Sequence, residues 1–388
     1  MSEWENFRLR DIGTLKRGKS KHRPRYAFHL YNGPYPFIQT GEIRESKKVI
    51  TSYSQSYSDA GLMQSKLWPK GTLCITIAAN IAELAILGFD ACFPDSVLGF
   101  IADDKKADIN FVYYQLSHYQ KELKHLGEGS VQDNINLATF DDILFPIPPL
   151  PEQQAIAEVL SSLDDKIDLL HRNNKTLEEM AETLFRQWFV EGAKEEWEVV
   201  PFGQLVQVKR GGSPRPIQEY LSESGLRWLK ISDATNNNSP YILEIKEHII
   251  ESGLKKTVYL QSGSLVVSNS ATPGIPKILA LDTCIHDGWL YFPKSHFSNE
   301  FLYLFFLKIR EELVALGNGS IFTNLKTDLV KTFPIAKPDD NTLSKFNDVV
   351  SPIFQKILSN SEQIMLLTNM KNALLPKLMS GQLRVKKN

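Results

Sequence analysis

The sequence predicts an α+β protein in which two similar mixed α/β domains alternate with two long helices. Two observations carry this prediction. The second half of the chain repeats motifs of the first half, and each half ends in a long segment whose apolar residues recur at alternating steps of four and three. We expect the two long helices to pair as an antiparallel coiled coil, with a pseudo-twofold relation between the halves.

The composition is typical of a folded, multidomain chain without membrane spans. Its 388 residues suit two or three domains, and the 42% hydrophobic and 23% charged residues match globular rather than disordered proteins. No apolar run approaches the roughly 18 residues of a membrane helix, and the first residues lack the apolar core of a signal peptide. We therefore expect a cytoplasmic protein.

Charge and cysteine usage narrow the possible functions. A net charge of -1 argues against a surface that binds polyphosphate over its whole extent, so any nucleic-acid contact must be local. The three cysteines, Cys74, Cys92 and Cys284, are odd in number and show no Cys-x-x-Cys spacing. This pattern predicts buried thiols rather than disulfides or a zinc site.

The internal repeat extends through both halves. Its first two motifs recur at the same displacement of 193 positions (4 to 197, and 16 to 209), and the later ones drift slightly, which indicates small loop deletions. The matching residues are Trp4-Glu5 with Trp197-Glu198, Lys16-Arg17-Gly18 with Lys209-Arg210-Gly211, and Cys92 and Asp95 with Cys284 and Asp287.

Each half should contain strands and a helix before its long helix begins. Short apolar runs bounded by Gly, Pro and Asn predict strands at 71–78, 84–89, 263–268 and 277–281. Apolar residues at helical spacing predict helices at 110–126 and 299–316, and each is followed by a glycine, a common helix stop.

Two heptad seams predict the long helices. Roughly 38 residues of helix span about 57 Å, enough to separate two domains. Asn174 and Asn360 lie on the seams, where a polar residue either fixes the register or is merely tolerated, and Pro352 predicts a kink or a restart. The seams are Ile156, Leu160, Leu163, Ile167, Leu170, Asn174, Leu177, Ala181, Leu184 and Trp188, and Leu343, Phe346, Val350, Ile353, Ile357, Asn360, Ile364, Leu367, Lys371, Leu374 and Leu378.

Two segments resemble the helical regions of type I restriction-modification specificity subunits. They are residues 145–167, FPIPPLPEQQAIAEVLSSLDDKI, and residues 374–385, LLPKLMSGQLRV. The alternation of domain and helix resembles that family over essentially the whole chain. One departure is that the second helix has residues 337–341 where the first has PLPEQQ.

The resemblance implies a non-catalytic subunit that gives a type I restriction-modification complex its DNA specificity. Target recognition domains would occupy residues 1–150 and 194–337, and spacer helices 151–193 and 338–388. Each domain would bind one half of a bipartite target in double-stranded DNA, and the helices would set the spacing. The implied partners are two methyltransferase subunits and further restriction or translocase subunits. S-adenosylmethionine, ATP and magnesium would belong to those partners, so no cofactor or metal is expected on this chain.

Basic residues cluster at the repeated Lys-Arg-Gly position, and loops 80–83 and 269–276 follow corresponding strands with groups able to bond base edges. The alternatives are a solvated basic loop and ordinary hairpin turns. The predicted DNA-binding residues are Lys16, Arg17, Lys19, Lys21, Arg23, Arg25 and Asn80 in the first half, and Lys209, Arg210, Ser213, Arg215, Asn269 and Thr272 in the second.

Apolar residues outside the seams exceed what a two-helix coil buries. They either dock partner subunits or pack against the chain's own domains. The predicted docking residues are Met180, Phe185, Phe189, Met365, Met370 and Leu375.

Two enzyme-like patterns carry little weight. Residues 13–20, GTLKRGKS, match the P-loop pattern, but Pro24 follows the lysine and charged residues precede the glycine, so the strand and helix of that motif are missing. Asp95 with residues 104–106 loosely resembles a nuclease pattern that the second half lacks. The alternatives left open are a metal- or nucleotide-dependent DNA enzyme and a coiled-coil interaction scaffold without its own DNA readout.

Overall fold

The fold consists of two compact units. The computed structural model describes residues 4–21, 27–78, 80–128, 137–236, 238–317 and 325–385. One unit comprises Met1–Lys166 with Leu367–Asn388, and the other comprises Ile167–Leu366. Each unit therefore contains one globular domain and a part of each long helix.

The first domain is mixed α and β and leads into the first long helix. The strands are β1 Glu5–Phe7, β2 Gly13–Arg17, β3 Tyr31–Phe37, β4 Val49–Ile50, β5 Gln55–Tyr57, β6 Leu73–Thr76, β7 Leu84–Leu87, β8 Val97–Ala102 and β9 Phe145–Ile147, and the helices are α1 Leu9–Ile12, α2 Thr40–Glu45, α3 Asp59–Met63, α4 Ile109–His118, α5 Gln120–Glu128, α6 Leu137–Asp142 and the long α7 Leu150–Arg186.

The second domain repeats this plan and leads into the second long helix. The strands are β10 Val199–Pro201, β11 Val206–Arg210, β12 Leu221–Ser222, β13 Leu226–Leu229, β14 Tyr241–Ile242, β15 His248–Ile249, β16 Val258–Leu260, β17 Leu265–Ser268, β18 Pro276–Leu279, β19 Thr283–Ile285, β20 Trp289–Ser295 and β21 Pro334–Ala336, and the helices are α8 Phe202–Leu205, α9 Ile231–Thr235, α10 Asn299–Gly317, α11 Thr327–Thr332 and the long α12 Asp340–Met379.

The main sheets of the two domains have the same topology. Their strand orders are β2-β8-β6-β7-β4 and β11-β20-β17-β18-β14, and in each sheet the last strand is parallel to its neighbour. All four residues of each of β6, β7, β17 and β18 are buried, which explains why these strands are mostly apolar, with Lys277 of β18 as the charged exception. The mixed α/β character predicted for both halves is confirmed, and the three cysteines are buried free thiols as predicted.

The hydrophobic core of the first unit includes the N-terminal part of α7 and the C-terminal part of α12. Ile156 and Leu160 of α7 and Leu378 and Met379 of α12 are buried together with the sheet and α4. Polar contacts reinforce this packing. Lys371 Nζ lies 2.6 Å from a carboxylate oxygen of Asp164, and the Tyr114 hydroxyl donates to the other oxygen at 2.7 Å.

The second core contains a cluster of aromatic side chains where both helices meet the sheet. Phe185 is only 5% exposed and packs edge-on against Phe301 and Phe346, and Phe189 contacts the same two rings. Docking of partners on Phe185 was therefore a wrong prediction. Its ring is buried in the core of its own unit, because α7 packs against the domain as well as against α12.

A buried asparagine pair links the two long helices in the second unit. Asn360 Nδ2 donates to Asn174 Oδ1 at 2.8 Å, and Asn174 Nδ2 donates to Ser361 Oγ at 3.0 Å. Asn174 and Asn360 are 6% and 0% exposed. A buried amide without a partner is costly, so this contact favours one register of the helices over its neighbours.

The second helix continues without interruption through Pro352, so the predicted restart is wrong. Proline removes the hydrogen bond that Asp348 would otherwise accept in the helix. Both residues are exposed, and water can satisfy that carbonyl, while the buried neighbours Val350 and Ile353 hold the helix in place. Among the described residues, no helix combines the length and apolar character needed to cross a bilayer.

One ionisable pair lies between α7 and the second sheet. Burial raises the pKa of Glu178 to about 7, against the pull of Lys277. Burial likewise lowers the pKa of Lys277 to about 8, although Glu178 opposes this. Lys277 Nζ donates to the carbonyl of Ser239. The folded protein therefore disfavours both charges at this position, and the pair makes its stability depend on pH.

The first prediction concerns the asparagine pair. Asn174→Leu should lower the free energy of unfolding by about 1–3 kcal/mol, because it leaves the buried amide of Asn360 without its acceptor. Thermal or urea unfolding measures the loss. The double variant Asn174→Leu with Asn360→Leu should recover most of it, since both polar groups are then gone. Additive losses in the double variant would contradict this account.

The second prediction concerns Glu178. A folded-state pKa near 7 is raised above the ordinary 4.5, so the stability contributed by the protonated group is full below about 4.5 and is lost as the pH rises through 7. Glu178→Gln should therefore raise Tm at pH 8 and change it little at pH 5. Glu158→Gln, an exposed glutamate of the same helix, is the control and should leave both values unchanged. A Tm gain at pH 5 as large as that at pH 8 would contradict the titration.

Candidate nucleic-acid interface

In both domains an arginine fixes the turn that follows the edge strand. Nε of Arg17, the last residue of β2, donates to the carbonyl of Asp95. Nε of Arg210, the last residue of β11, donates to the carbonyl of Asp287 in the same way. Each bond uses one of the five guanidinium N–H groups, and both side chains remain exposed. Both arginines can therefore hold the turn and still offer donors to an anion.

The glycine after each arginine allows two backbone segments to approach closely. Gly18 N donates to Val97 O at 2.8 Å, and Gly211 N donates to Trp289 O at 2.9 Å. A Cβ added to Gly18 would stand 2.2 Å from Pro94 O, and one added to Gly211 would stand 2.2 Å from His286 O. Only glycine fits at these positions, which explains why it recurs in the repeat.

The loops after β6 and β17 have the same hydrogen bonds. The hydroxyls of Thr76 and Ser268 donate to the carbonyls of Asn80 and Thr272 and accept from the backbone N–H of Glu83 and Ile275, both at 2.9 Å. The positions of these two loops therefore correspond residue by residue. Asn80 is equivalent to Thr272, and both are partly buried.

In the second domain an acidic side chain organises the turn. The carboxylate of Asp287 accepts from Ser213 Oγ at 2.7 Å and from Arg215 Nη2 at 3.3 Å. The hydrogen bond from Ser213 holds the pKa of Asp287 below its ordinary value, and Arg210, His286 and Arg215 act in the same direction. The carboxylate thus stays ionised and orients Arg215. Ser213 acts through this contact and is a positioning residue.

The described basic residues predicted in the first half lie at the end of β2 and on the turn that follows it. Lys16, Lys19 and Lys21 are exposed, whereas Arg23 and Arg25 lie outside the described residues. The structure adds Lys66, which the sequence analysis missed. Its pKa is lowered by burial and by the charge of Lys16, and its ammonium lies 3.6 Å from the Trp68 ring centroid. Lys66 is distant in sequence, so the local basic run gave no signal for it.

The second half has a smaller set of exposed cations. Lys209 and Arg210 are exposed at the end of β11, and Arg215 is exposed beyond the turn. Lys256, also missed from the sequence, has its backbone beside Gly212 and donates to the Tyr220 hydroxyl at 2.6 Å.

The two asparagines predicted in the loops differ in exposure. Asn269 is 2% exposed, and its Nδ2 donates to the carbonyl of Asp287 at 3.2 Å. It was therefore wrongly predicted to contact bases, because its side chain is buried and ties the loop to the basic turn. Asn80 is accessible in part, and its Oδ1 accepts from Arg44 at 3.4 Å.

The enzyme-like patterns do not form sites. Gly13–Arg17 is a strand, and the N–H groups of Gly18 and Lys19 donate to Val97 O and Phe93 O, so they cannot cradle a phosphate. Asp95 and Asp104 lie beyond opposite ends of β8, which separates them by roughly 20 Å at 3.3 Å per residue. In the described part of the chain, no group of three or more His, Cys, Asp or Glu side chains could hold a metal ion.

The predicted docking residues differ in exposure. Met180, Met365 and Met370 are 49%, 39% and 44% exposed. Phe189 is partly buried against the second core and Leu375 against the first. The three methionines therefore remain candidates for contact with another protein.

The third prediction tests the close approach at Gly18. Gly18→Ala should destabilise the protein by about 1–3 kcal/mol, because the added methyl group overlaps a backbone carbonyl that cannot move freely. Differential scanning calorimetry measures the loss. Gly41→Ala is the matched control, since its added Cβ would meet no atom within 4 Å. Equal Tm values for the two variants would refute the requirement for glycine at position 18.

The fold defines a duplicated protein with one mixed α/β domain and one long helix in each repeat. The family model for the type I restriction modification DNA specificity domain matches residues 1–179 and 194–367, one match in each repeat. These matches cover more than half of the chain. The chain therefore belongs to the type I restriction-modification DNA specificity family.

Relatives resemble the chain over its full length. It is 25% identical to the type I restriction enzyme MjaIX specificity subunit of Methanocaldococcus jannaschii, with 99% of this chain and 94% of the relative covered. It is 22% identical to the HindI specificity subunit of Haemophilus influenzae, with 99% and 100% covered. The crystal structure of a type I restriction-modification S subunit from M. genitalium matches with a TM-score of 0.69 and 15% identity, over 99% of this chain and 97% of that chain. The last match shows a shared fold.

Proposed function

We propose that this chain is the non-catalytic DNA specificity subunit of a type I restriction-modification complex. The observation that carries the proposal is the paired occurrence, in a member of this family, of an exposed basic turn beside an equivalent loop in each of two domains. Arg17 and Arg210 hold these turns by the same hydrogen bond. Each domain would bind one half of a bipartite target in double-stranded DNA.

The exposed cations would bind phosphates, and the loops would approach base edges. Lys16, Lys19, Lys21 and Lys209 have the exposure that phosphate contact requires. These contacts supply affinity without sequence information, so specificity must come from other side chains. Methylation and cleavage would belong to partner subunits, together with S-adenosylmethionine, ATP and magnesium.

The long helices would pair as an antiparallel coiled coil that sets the spacing of the half-sites. In the second unit the contacts run in opposite order along the two helices, since Asn174 meets Asn360 and Phe185 meets Phe346. Two methyltransferase subunits would dock on the exposed apolar side chains of the helices, among them Met180, Met365 and Met370. Restriction subunits would join this assembly in the cytoplasm.

The fourth prediction tests the phosphate contacts. Lys16→Ala with Lys19→Ala should weaken duplex binding by the complex with its methyltransferase and reduce the slope of log affinity against log salt concentration by about 1.8, because each lost phosphate contact removes about 0.9. Fluorescence anisotropy at several salt concentrations measures both. Lys105→Ala with Lys166→Ala removes two exposed lysines elsewhere and should leave the slope unchanged. An unchanged slope in the first variant would exclude this turn from the interface.

The fifth prediction tests the spacing. Removal of residues 167–173 and 362–368 deletes one heptad from each helix and keeps both the Asn174–Asn360 and the Asp164–Lys371 contacts. The helices become about 10 Å shorter, which corresponds to about 3 base pairs. Selection from a pool of duplexes should return both half-sites with a gap shorter by that amount. Recovery of the original gap would contradict the spacer role.

A further inference from the structure

We propose that the side-chain pairs Gln39–Gln55 and Lys230–Glu247 determine the base specificity of the two domains. The first pair binds an A·T base pair and the second binds a G·C base pair. This inference rests on the proposed function, since it assumes that each domain contacts a DNA half-site. It adds which residues discriminate between bases and which base pair each domain prefers.

The first members of the two pairs occupy equivalent positions. Gln39 directly precedes α2, and its backbone N–H donates to the Glu42 carboxylate at 3.1 Å. Lys230 directly precedes α9, and its backbone N–H donates to the Asp233 carboxylate at 2.9 Å. The same capping interaction thus fixes the backbone from which each side chain projects.

The second members are equivalent as well. Gln55 is the strand partner of Phe37, two residues before Gln39. The carbonyl of Glu247 accepts from the backbone N–H of Trp228, two residues before Lys230, at 2.8 Å. The two partners therefore lie at the same place, Gln55 at the start of β5 and Glu247 directly before β15.

Within each pair the side chains meet directly. Gln39 Nε2 donates to Gln55 Oε1 at 2.9 Å, and Lys230 Nζ donates to Glu247 Oε1. Both glutamines are exposed, and the Lys230 and Glu247 side chains retain 44% and 36% of their exposure. The two domains thus present the same contact to solvent with different chemistry, one neutral and one charged.

This difference contrasts with the residues that hold the domains together. The arginine, glycine and aspartate of the basic turn are identical in both halves and make identical backbone contacts. Two domains that share a frame but bind different half-sites must differ at exposed positions near the DNA. The two pairs meet this requirement, because they differ in chemistry at equivalent positions. Each internal hydrogen bond also leaves donors and acceptors over: Lys230 keeps two N–H groups, and Glu247 keeps a lone pair of Oε1, while its Oε2 is buried.

The charged pair lies beside the proposed DNA-binding turn. Lys230 lines a pocket of about 560 Å³ together with Ser213 and Arg215 of the turn and Ser270 of the loop. Ser232, also in the lining, has Gly41 as its equivalent, and Ser270 has Ala78. The second domain therefore has more polar groups around this pocket than the first domain has at the equivalent positions. Such a site suits the major-groove edge of a G·C pair, which lacks the methyl group of an A·T pair.

The chemistry of the major groove assigns the base pairs. Lysine donates to O6 and N7 of guanine, and glutamate accepts from N4 of cytosine. Glutamine bonds N6 and N7 of adenine with its amide. Lys230 and Glu247 together match one G·C pair, and Gln39 and Gln55 match one A·T pair.

The test exchanges the chemistry of one pair. The variant Lys230→Gln with Glu247→Gln, assembled with its methyltransferase, is used to select duplexes from a random pool in parallel with the wild type. One G·C position of the second half-site should change to A·T, with about 5- to 150-fold altered discrimination, and the first half-site should stay the same. The reciprocal variant Gln39→Lys with Gln55→Glu should change one position of the first half-site alone.

The matched control is Lys331→Gln with Asp328→Asn, which removes an exposed ion pair on another helix of the second unit. It should select the wild-type target. Unchanged half-sites from the Lys230 and Glu247 variant, with wild-type Tm and assembly, would overturn the inference and leave the proposed function intact. A wild-type complex that selects no split target would overturn the proposed function itself. If the double variant does not assemble, Lys230→Arg alone takes its place. This variant should keep the preference for guanine, and loss of that preference in an assembled complex would refute the inference.

Discussion

Each globular domain completes its hydrophobic core with residues from both long helices, and this shared burial is the constraint on which the rest of the structure depends. In the first unit, Ile156 and Leu160 of one helix meet Leu378 and Met379 of the other inside the core of the domain. In the second unit, Phe185 and Phe346 do the same. Within a unit, a helix segment that contributes to the core cannot turn about its axis without exposing apolar surface, at about 25 cal/mol per Å². Each domain is therefore held in one orientation on the helix segments of its own unit.

At the proposed interface, a few residues hold the turn in place and still leave groups available for DNA. Arg17 and Arg210 each hold a turn through one N–H group and keep the remaining donors toward solvent. Gly18 and Gly211 let the turn approach the neighbouring strand closely enough for this bond to form. The residues that fix the frame are thus the same in both domains, whereas the exposed pairs that begin at Gln39 and Lys230 differ in chemistry. Base preference can therefore change, as between Gln39 and Lys230, without loss of the fold.

Sequence patterns predicted those features that depend on local periodicity or on the repeat. The heptad seams located α7 and α12, the strand patterns located β6, β7, β17 and β18, and the repeat identified the basic turns. The errors at Phe185 and Asn269 concern burial that depends on contacts distant in sequence, whereas the predicted restart at Pro352 overestimated the local effect of proline on a helix held by buried neighbours. Phe185 occupies a helix position that the sequence alone predicts to be exposed, but Phe301 of α10 covers it. Asn269 has the sequence context of an exposed loop residue, but its side-chain amide donates to the backbone carbonyl of Asp287. Neither partner lies near in sequence.

The specificity pairs had no sequence signal for a related reason. Gln39 and Gln55 are separated by a helix and a strand, and their equivalence to Lys230 and Glu247 follows only from strand pairing and helix capping. Lys66 lies beside the basic turn for the same reason, because the hydroxyl of the preceding Ser65 donates to the carbonyl of Lys19. The sequence pattern therefore predicted a basic, DNA-binding surface. Only the topology identified the residues from distant segments that lie on it.

The most direct measurement of the central claim is sequencing of modified adenines in DNA from cells that express this chain with its methyltransferase, beside cells that express the methyltransferase alone. We expect modification at a single target made of two specific parts and a gap of fixed length, only where this chain is present. Modification of an undivided sequence, or the same modified sites in the absence of this chain, would contradict the account.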